Sequence, residues 1–163
     1  MTELAVSLLK AFEGFQPKVY TDAAGFATVG YGHKLLTSER ARYLERQDAN
    51  GGKFSPREAE ELLIEDFQQH RVGVQARTVG LNLTTEQLEA CTSLAFNIGV
   101  SRFGTSTILD ELSLGDRVRA GRAFLMWVKA GGVVLKGLER RRHVESAWFL
   151  GAAPSTLHRL WGV

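Results

Sequence analysis

Two carboxylates near the N-terminus, Glu13 and Asp22, have the residue types and spacing for acid–base chemistry on a sugar bond. Glu13 lies four residues after Leu9 and seven after Val6, at the edge of an apolar helical stripe, and apolar surroundings favour the protonated carboxyl that a general acid needs. Asp22 lies in the polar turn YTDAAG, where hydrogen bonds and water favour a carboxylate. One group could protonate a leaving oxygen while the other stabilises positive charge or directs water, as in glycoside hydrolysis.

The spacing alone leaves open that this pair carries no chemistry, since a chain of this size contains many similar Glu–Asp pairs. Other chemistries have weaker signals. The four histidines are scattered and form no HExxH motif or Cys/His cluster, so a metal-dependent amidase or endopeptidase is not expected. GFATVGYG lacks the lysine and the following helix of a phosphate-binding loop. We therefore expect no metal and no other cofactor.

The elements that must position the two carboxylates can be predicted from periodicity. A first helix ends at Gly14, and its apolar residues recur at helical spacing: Ala5, Leu8, Leu9 and Phe12. From Phe15 to His33, β-branched and aromatic residues punctuated by DAAG and GYG predict a hairpin or a three-stranded meander. Residues 36–47 predict a short polar helix, and residues 48–54 predict a loop.

Later segments are helical, and two of them start with a capping signal. SPRE at 55–58 and the Thr84–Gln87 pair are capping boxes, the second opening a helix that ends at Gly99. The helix after Pro56 carries an apolar stripe: Ala59, Leu62, Leu63 and Phe67. Further helices are predicted near 106–113, 117–130 and 138–150. The predicted architecture is a small sheet near the N-terminus followed by a mostly helical body.

The composition is that of a soluble globular protein, with 163 residues, 44% hydrophobic and 23% charged. The charge is uneven, because residues 117–163 carry nine basic and two acidic side chains against a net charge of only +2 for the whole chain. This basic segment favours an anionic partner such as a cell wall, a nucleic acid or a membrane surface. A solvated helical face explains the same charges.

Two further features of the sequence indicate the cellular compartment of the protein. Cys91 is the single cysteine and lies in the apolar register of a helix, so we expect a buried, inert thiol. The N-terminus lacks a basic n-region, and Ser7 and Lys10 interrupt its apolar stretch, so neither a secretory signal nor a membrane span is expected there. We therefore expect a protein that stays in the cytoplasm until something else releases it.

Three motifs in order resemble those of phage-type lysozymes (endolysins, glycoside hydrolase family 24). The first is FEGF…VYTDAAGFATVGYGH, in which Glu13, Asp22 and Thr28 fall on the positions that the family uses for catalysis. The second is LAFNIGVSRFGTSTIL, and the third is FLMWVKAGGVVLKGLERRRHVESAWF. Together they extend over nearly the whole chain.

The resemblance implies a single lysozyme domain over residues 1–163 with a two-lobed α+β fold. A small hairpin lobe (about 14–55) and a larger helical lobe (68–163) would be joined by a long helix (56–78). Helix 1–13 would pack on the larger lobe, and the substrate would lie in the cleft between the lobes.

The resemblance also implies roles for individual residues. Glu13 would be the general acid, and Asp22 with Thr28 would hold the attacking water, although a β-branched strand residue alone also explains Thr28. His33 would be a buried structural histidine without a part in proton transfer. The resemblance assigns further roles in the helical segments: Phe96 and Ser106 on the glycan-binding face, and Arg141 (or Arg140) in an ion pair with Glu13. A core role suits Phe96 equally well.

The implied function is that of a muramidase that cleaves peptidoglycan glycan strands at the end of a phage infection. Such a protein is expected to be a monomer that binds no nucleic acid and does not insert stably in a membrane. It would accumulate in the host cytoplasm and reach the periplasmic cell wall after release by a holin. A Gram-negative host is expected.

The residues alone leave three rival functions open. A catalytically silent glycan-binding or virion structural protein could share the scaffold, but would not need Glu13, Asp22 and Thr28 together. Nucleic-acid binding through 117–163 is disfavoured because its aromatic residues fall at core spacing. A lytic transglycosylase would need one acid and would form an anhydro-sugar.

Overall fold

The computed structural model describes residues 1–22, 25–36, 43 and 52–162. The chain divides into two compact units, Met1–Asp66 and Phe67–Val163. The first contains a three-stranded sheet and the second is mostly helical, which confirms the predicted α+β class. The division keeps residues 1–13 with the first unit, and the predicted lobe limits stay a prediction. The predicted polar helix over 36–47 and loop over 48–54 lie largely outside the described residues.

The first helix, α1 (Glu3–Glu13), ends where the sequence predicts. Thr2 caps its start, because the Thr2 hydroxyl oxygen accepts a hydrogen bond from the Ala5 amide at 3.2 Å. Gly14 has a positive φ of 69° and ends the helix, so Glu13 is its last residue. The predicted apolar stripe is buried at Ala5, Leu8 and Leu9.

A three-stranded antiparallel meander follows, as predicted, with the strands β1 (Gln16–Thr21), β2 (Ala27–Gly30) and β3 (His33–Lys34). Its register pairs Thr28 with Tyr20 on one side and with Lys34 on the other. At Gly30, φ is 66°, and an added Cβ would lie 2.8 Å from the Cβ of Ala59. Gly30 therefore permits both the turn and the close packing of the strand on a helix.

That helix, α2 (Pro56–Arg77), has the predicted start and ends one residue before the predicted limit of 78. The capping box is confirmed: the Ser55 amide donates to Glu58 Oε2 at 2.9 Å, and the Glu58 amide donates to Ser55 Oγ at 3.3 Å. Within the described part of the chain, no helix is both long enough and apolar enough to cross a membrane.

The second unit has a helical core. Helix α3 (Thr85–Ile98) begins with the predicted Thr84–Gln87 capping box and ends at Gly99. The other helical segments are α4 (Val100–Phe103), α5 (Thr107–Ser113), α6 (Arg117–Ala123), a 3₁₀ turn (Phe124–Met126), α7 (Lys136–Phe149) and α8 (Pro154–Trp161). Cys91 is fully buried in α3, and burial raises the pKa of its thiol, which confirms the predicted inert cysteine.

The predicted helix over 117–130 is wrong in its second half. Regular helix ends at Ala123, and residues 129–134 form a hairpin of strands β4 (Lys129–Ala130) and β5 (Val133–Val134). Gly131 and Gly132 both have positive φ, 56° and 83°, and form its two-residue turn. Because RVRAGRAFLMWVKA contains no proline and no terminal glycine, its sequence gives no stop signal.

Candidate active site

Glu13 lies at the junction of helix α1 with the sheet. Gly14 ends the helix directly after it, so the side chain projects from the last turn and is half-buried. A Cβ built on Gly32, in the turn between β2 and β3, would lie 3.7 Å from Glu13 Oε2. The Glu13 carboxyl therefore lies next to that turn.

Asp22 follows strand β1 and is held by its own turn. Its Oδ1 accepts a hydrogen bond from the Phe26 amide at 2.8 Å, and its amide donates to the Phe26 carbonyl at 2.9 Å. Its Oδ2 lies 3.9 Å from Lys34 Nζ, and the side chain is 20% exposed. The turn thus fixes the position of the carboxylate while leaving it accessible to solvent.

Tyr20 connects the two acids electrostatically. Burial raises the pKa of the Tyr20 phenol, and the charges of Asp22 and then Glu13 raise it further. Both carboxylates therefore contribute to the electrostatic surroundings of the Tyr20 phenol. The sequence reasoning missed Tyr20, although its position two residues before Asp22 in YTD was a usable signal.

Thr28 lies on strand β2, next to Tyr20. It pairs with Tyr20 across the sheet and is only 2% exposed. Its hydroxyl donates a hydrogen bond to the Phe26 carbonyl at 3.1 Å. Since that bond uses the hydroxyl hydrogen, Thr28 Oγ1 can offer a water molecule only acceptor lone pairs in this arrangement.

His33 joins the sheet to helix α2. Its Nδ1 lies 2.8 Å from Asp66 Oδ2, and the two side chains are 12% and 20% exposed. A contact between two elements of the first unit suits the structural role predicted for His33. Asp66 was not found from the sequence, because 33 residues separate the pair and no local pattern links them.

The two residues predicted to bind glycan lie in the second unit. Phe96 is half-buried, with its ring centroid 5.1 Å from that of His70 and 6.5 Å from that of Phe67. Ser106 is 1% exposed and caps helix α5, donating to the Phe103 carbonyl at 2.7 Å. These contacts give Ser106 a local structural role, and its contact with glycan stays a prediction.

The consecutive arginines have different surroundings. Arg141 is buried, and its guanidinium donates to Glu145 Oε1 at 3.0 Å and to the Ser93 carbonyl at 3.2 Å. Arg140 packs over the Trp161 ring, with its guanidinium carbon 4.7 Å from the ring centroid. The ion pair predicted between Arg141 and Glu13 stays a prediction.

The first unit thus presents two carboxyl groups, a phenol and a hydroxyl, an arrangement capable of acid–base chemistry. Among the residues that the structure describes, no group of three or more His, Cys, Asp or Glu side chains is placed to hold a metal ion.

Comparisons with known proteins identify the family of the chain. The Phage lysozyme family profile matches residues 10–145. The endolysin of Bacillus phage B103 is 30% identical over 98% of this chain, although the chain spans only 57% of that protein's length. The endolysin of Salmonella phage P22 is 37% identical over 89% of this chain and 94% of its own.

A solved structure, the muramidase domain of SpmX from Asticaccaulis excentricus, has a TM-score of 0.77 with 31% identity. The alignment covers 91% of this chain and 96% of that domain. Both the sequence match and the structural match extend over most of the chain. The chain therefore belongs to the phage lysozyme family.

Proposed function

We propose that the protein is an endolysin muramidase, which hydrolyses the β-1,4 bond between N-acetylmuramic acid and N-acetylglucosamine in bacterial peptidoglycan. The observation that carries the proposal is the match to the Phage lysozyme family over residues 10–145, with Glu13 at the end of helix α1 and Asp22 held in the turn after strand β1. Glu13 protonates the leaving glycosidic oxygen, and Asp22 acts on the opposite face of the sugar ring.

Asp22 and Thr28 position the attacking water. A water molecule between them would donate one hydrogen to the Asp22 carboxylate and the other to Thr28 Oγ1, whose own hydrogen bonds the Phe26 carbonyl. Both hydrogens of the water are then engaged in hydrogen bonds, and a lone pair on its oxygen faces the anomeric carbon of the sugar. Direct attack by this water inverts the anomeric centre.

The remaining assignments belong to the same proposal. Phe96 and Ser106 contribute to the glycan-binding face, Arg141 pairs with Glu13, and His33 supports the sheet. The chain acts as a single lysozyme domain and as a monomer that binds peptidoglycan, with no nucleic-acid partner and no stable membrane insertion. It acts on the periplasmic cell wall after a holin releases it from the host cytoplasm.

Lysis of bacteria whose outer membrane has been permeabilised tests the function. We expect the wild-type protein to reduce the turbidity of the suspension and Glu13→Gln, which cannot donate the proton, to leave it unchanged. Circular dichroism and the unfolding midpoint control for the folding of both proteins. Absence of clearing by folded wild-type protein would instead support a catalytically silent glycan-binding role.

A further inference from the structure

Lys34 places an ammonium group beside the carboxylate of Asp22. Both residues belong to the first unit, where Lys34 lies on strand β3 directly opposite Thr28 of β2. Lys34 Nζ is 3.9 Å from Asp22 Oδ2, and the Lys34 side chain is 59% exposed against 20% for Asp22. An accessible cation therefore lies next to the carboxylate that the proposed function uses.

Phe26 holds this ammonium group in position. Lys34 Nζ lies 4.6 Å from the centroid of the Phe26 ring, which is a cation–π distance. The backbone of the same residue binds Asp22, because the Phe26 amide donates to Asp22 Oδ1 at 2.8 Å. One residue thus orients both the cation and the carboxylate.

The Lys34 ammonium group can donate hydrogen bonds to a ligand. A separation of 3.9 Å is too long for a hydrogen bond, so the contact of Lys34 Nζ with Asp22 Oδ2 is an ion pair only. A lysine ammonium group has N–H donors and no acceptor. It therefore binds a carbonyl oxygen that reaches it from solvent, whereas it repels a second ammonium group.

The proposed reaction brings a sugar nitrogen to the same place. In a muramyl residue the acetamido group is attached to C2, which is bonded to the anomeric carbon C1. Water held by Asp22 attacks C1, so the substituent on C2 also lies close to the Asp22 carboxylate. The C2 substituent and the Lys34 ammonium group are then neighbours of one carboxylate.

We propose that Lys34 is a specificity-determining residue that selects N-acetylated sugars beside Asp22. Its ammonium group donates a hydrogen bond to the acetamido carbonyl oxygen and repels the ammonium group of a sugar that has lost its acetyl group. It also offsets the charge of Asp22, which would otherwise attract such a cationic sugar. The inference deepens the proposed function, on which it rests for the placement of the sugar.

Calorimetric titration of the Glu13→Gln variant, which prevents turnover, tests the inference with two soluble peptidoglycan fragments. One fragment has acetamido groups on its sugars, and the other is the same fragment with free sugar amines, which are protonated at about pH 6. Adding Lys34→Gln should reduce the ratio of affinities for the acetylated and free-amine fragments about fivefold, because the repulsion between two close charges is lost.

An unchanged ratio of affinities would overturn the proposal. Equal weakening of both fragments would overturn it as well, because Lys34 would then bind a group that the fragments share, such as a carboxylate of the peptide stem. Lys34→Arg keeps the charge and should keep the ratio of the parent protein.

Lys18→Gln is the matched control. It removes the same charge from an exposed lysine on strand β1 of the same sheet. The ratio of affinities should stay at the value of the parent protein. If Lys18→Gln lowers the ratio as much as Lys34→Gln, the effect comes from the overall charge of the protein, and Lys34 does not select the sugar.

Hydrolysis by protein with an intact Glu13 gives a second readout. A positive charge on C2 slows cleavage for an intrinsic reason, since it disfavours the positive charge that develops at C1, so the two proteins must be compared on both substrates. Lys34→Gln should narrow the gap in kcat/KM between acetylated and free-amine peptidoglycan about fivefold, with the unfolding midpoint as the control for folding. A gap as wide as that of the wild type would contradict the proposal.

Failure of this inference and failure of the proposed function give different results. Hydrolysis by the wild type with ratios that do not depend on Lys34 would refute the role of Lys34 alone. A Lys34-dependent ratio of affinities in a protein that does not cleave peptidoglycan would refute the proposed function and leave the selection of acetylated sugars standing.

Discussion

Asp22 in the first unit and Glu145 in the second are both carboxylates, yet the protein holds them in opposite ways. Asp22 is 20% exposed and is fixed by a backbone amide at 2.8 Å, with Lys34 at 3.9 Å from its other oxygen. Glu145 is fully buried and accepts hydrogen bonds from two arginines and a serine. A turn thus positions Asp22, whereas the side chains of Ser93, Arg141 and Arg142 surround Glu145.

The difference separates a reactive carboxylate from a structural one. The contacts of Asp22 hold it in place without covering it, so it remains available to water and substrate. The oxygens of Glu145 are occupied by donors, and removal of one partner of a buried ion pair leaves an uncompensated charge. We therefore expect substitution of Asp22 to lower activity without lowering stability, and substitution of Glu145 to lower stability first.

The largest effect is expected at Asp22. Asp22→Asn should reduce the rate of peptidoglycan hydrolysis by at least about 100-fold, because the amide cannot accept a proton from the attacking water. The free energy of unfolding should stay close to that of the wild type. Rates measured on purified peptidoglycan and urea denaturation check both statements. Activity near the wild-type level would favour a mechanism with a single acid.

At Glu145 the effect should be on folding. Glu145→Gln removes the buried carboxylate that Arg141 and Arg142 share, so the free energy of unfolding should fall by about 3–5 kcal/mol. The midpoint of urea denaturation measures this loss, with Asp22→Asn as the exposed control. A change in the free energy of unfolding below about 1 kcal/mol would mean that the cluster of Glu145, Arg141 and Arg142 does not stabilise the fold.

Tyr20 reports on whether the two acids share one site. Its pKa is raised by burial and then by the charges of Asp22 and Glu13, so removal of the Glu13 charge in Glu13→Gln should lower it. Alkaline titration of the tyrosine NMR signals, with Tyr20→Phe to assign the relevant one, follows the change. No change in the pKa of Tyr20 would place Glu13 too far away to act with Asp22.

The smallest effect is expected from salt. If the net charge of +7 on residues 117–163 draws the protein to anionic wall polymers, moderate salt should slow lysis of permeabilised cells. Cleavage of a short soluble oligosaccharide should change much less, because its binding does not depend on that long-range field. Equal sensitivity of the two substrates would exclude electrostatic docking.

Local signals explain what could be predicted about the fold. The ends of α1 and α3 follow from Gly14 and Gly99, and the capping boxes at Ser55 and Thr84 form as their sequences predict. The hairpin over 129–134 was missed because helical periodicity continues into it without a stop signal. Helix α8 was not predicted, although Pro154 near its start and Gly162 at its end were available signals.

The candidate site shows the same contrast between residues with local sequence signals and residues without them. Glu13, Asp22 and Thr28 belong to one short motif, so the sequence alone could propose them as one site. The partners that orient other residues lie far away in the sequence, such as Asp66 for His33 and Ser93 for Glu145, 52 residues apart. Only folding brings such pairs together, and no periodicity in the sequence predicts them. The arginine partners of Glu145 are the exception, since the spacing of Arg141 and Arg142 from Glu145 fits one helix face.

Hydrolysis by two carboxylates is tested most directly by the first product released from purified peptidoglycan. Mass spectrometry should find reducing N-acetylmuramic acid ends that have gained a water, and proton NMR before mutarotation should show the α-anomer, because water attacks opposite the leaving group. An initial β-anomer would contradict the water between Asp22 and Thr28. Anhydro-sugar ends, one water lighter, would contradict hydrolysis itself and identify a lytic transglycosylase.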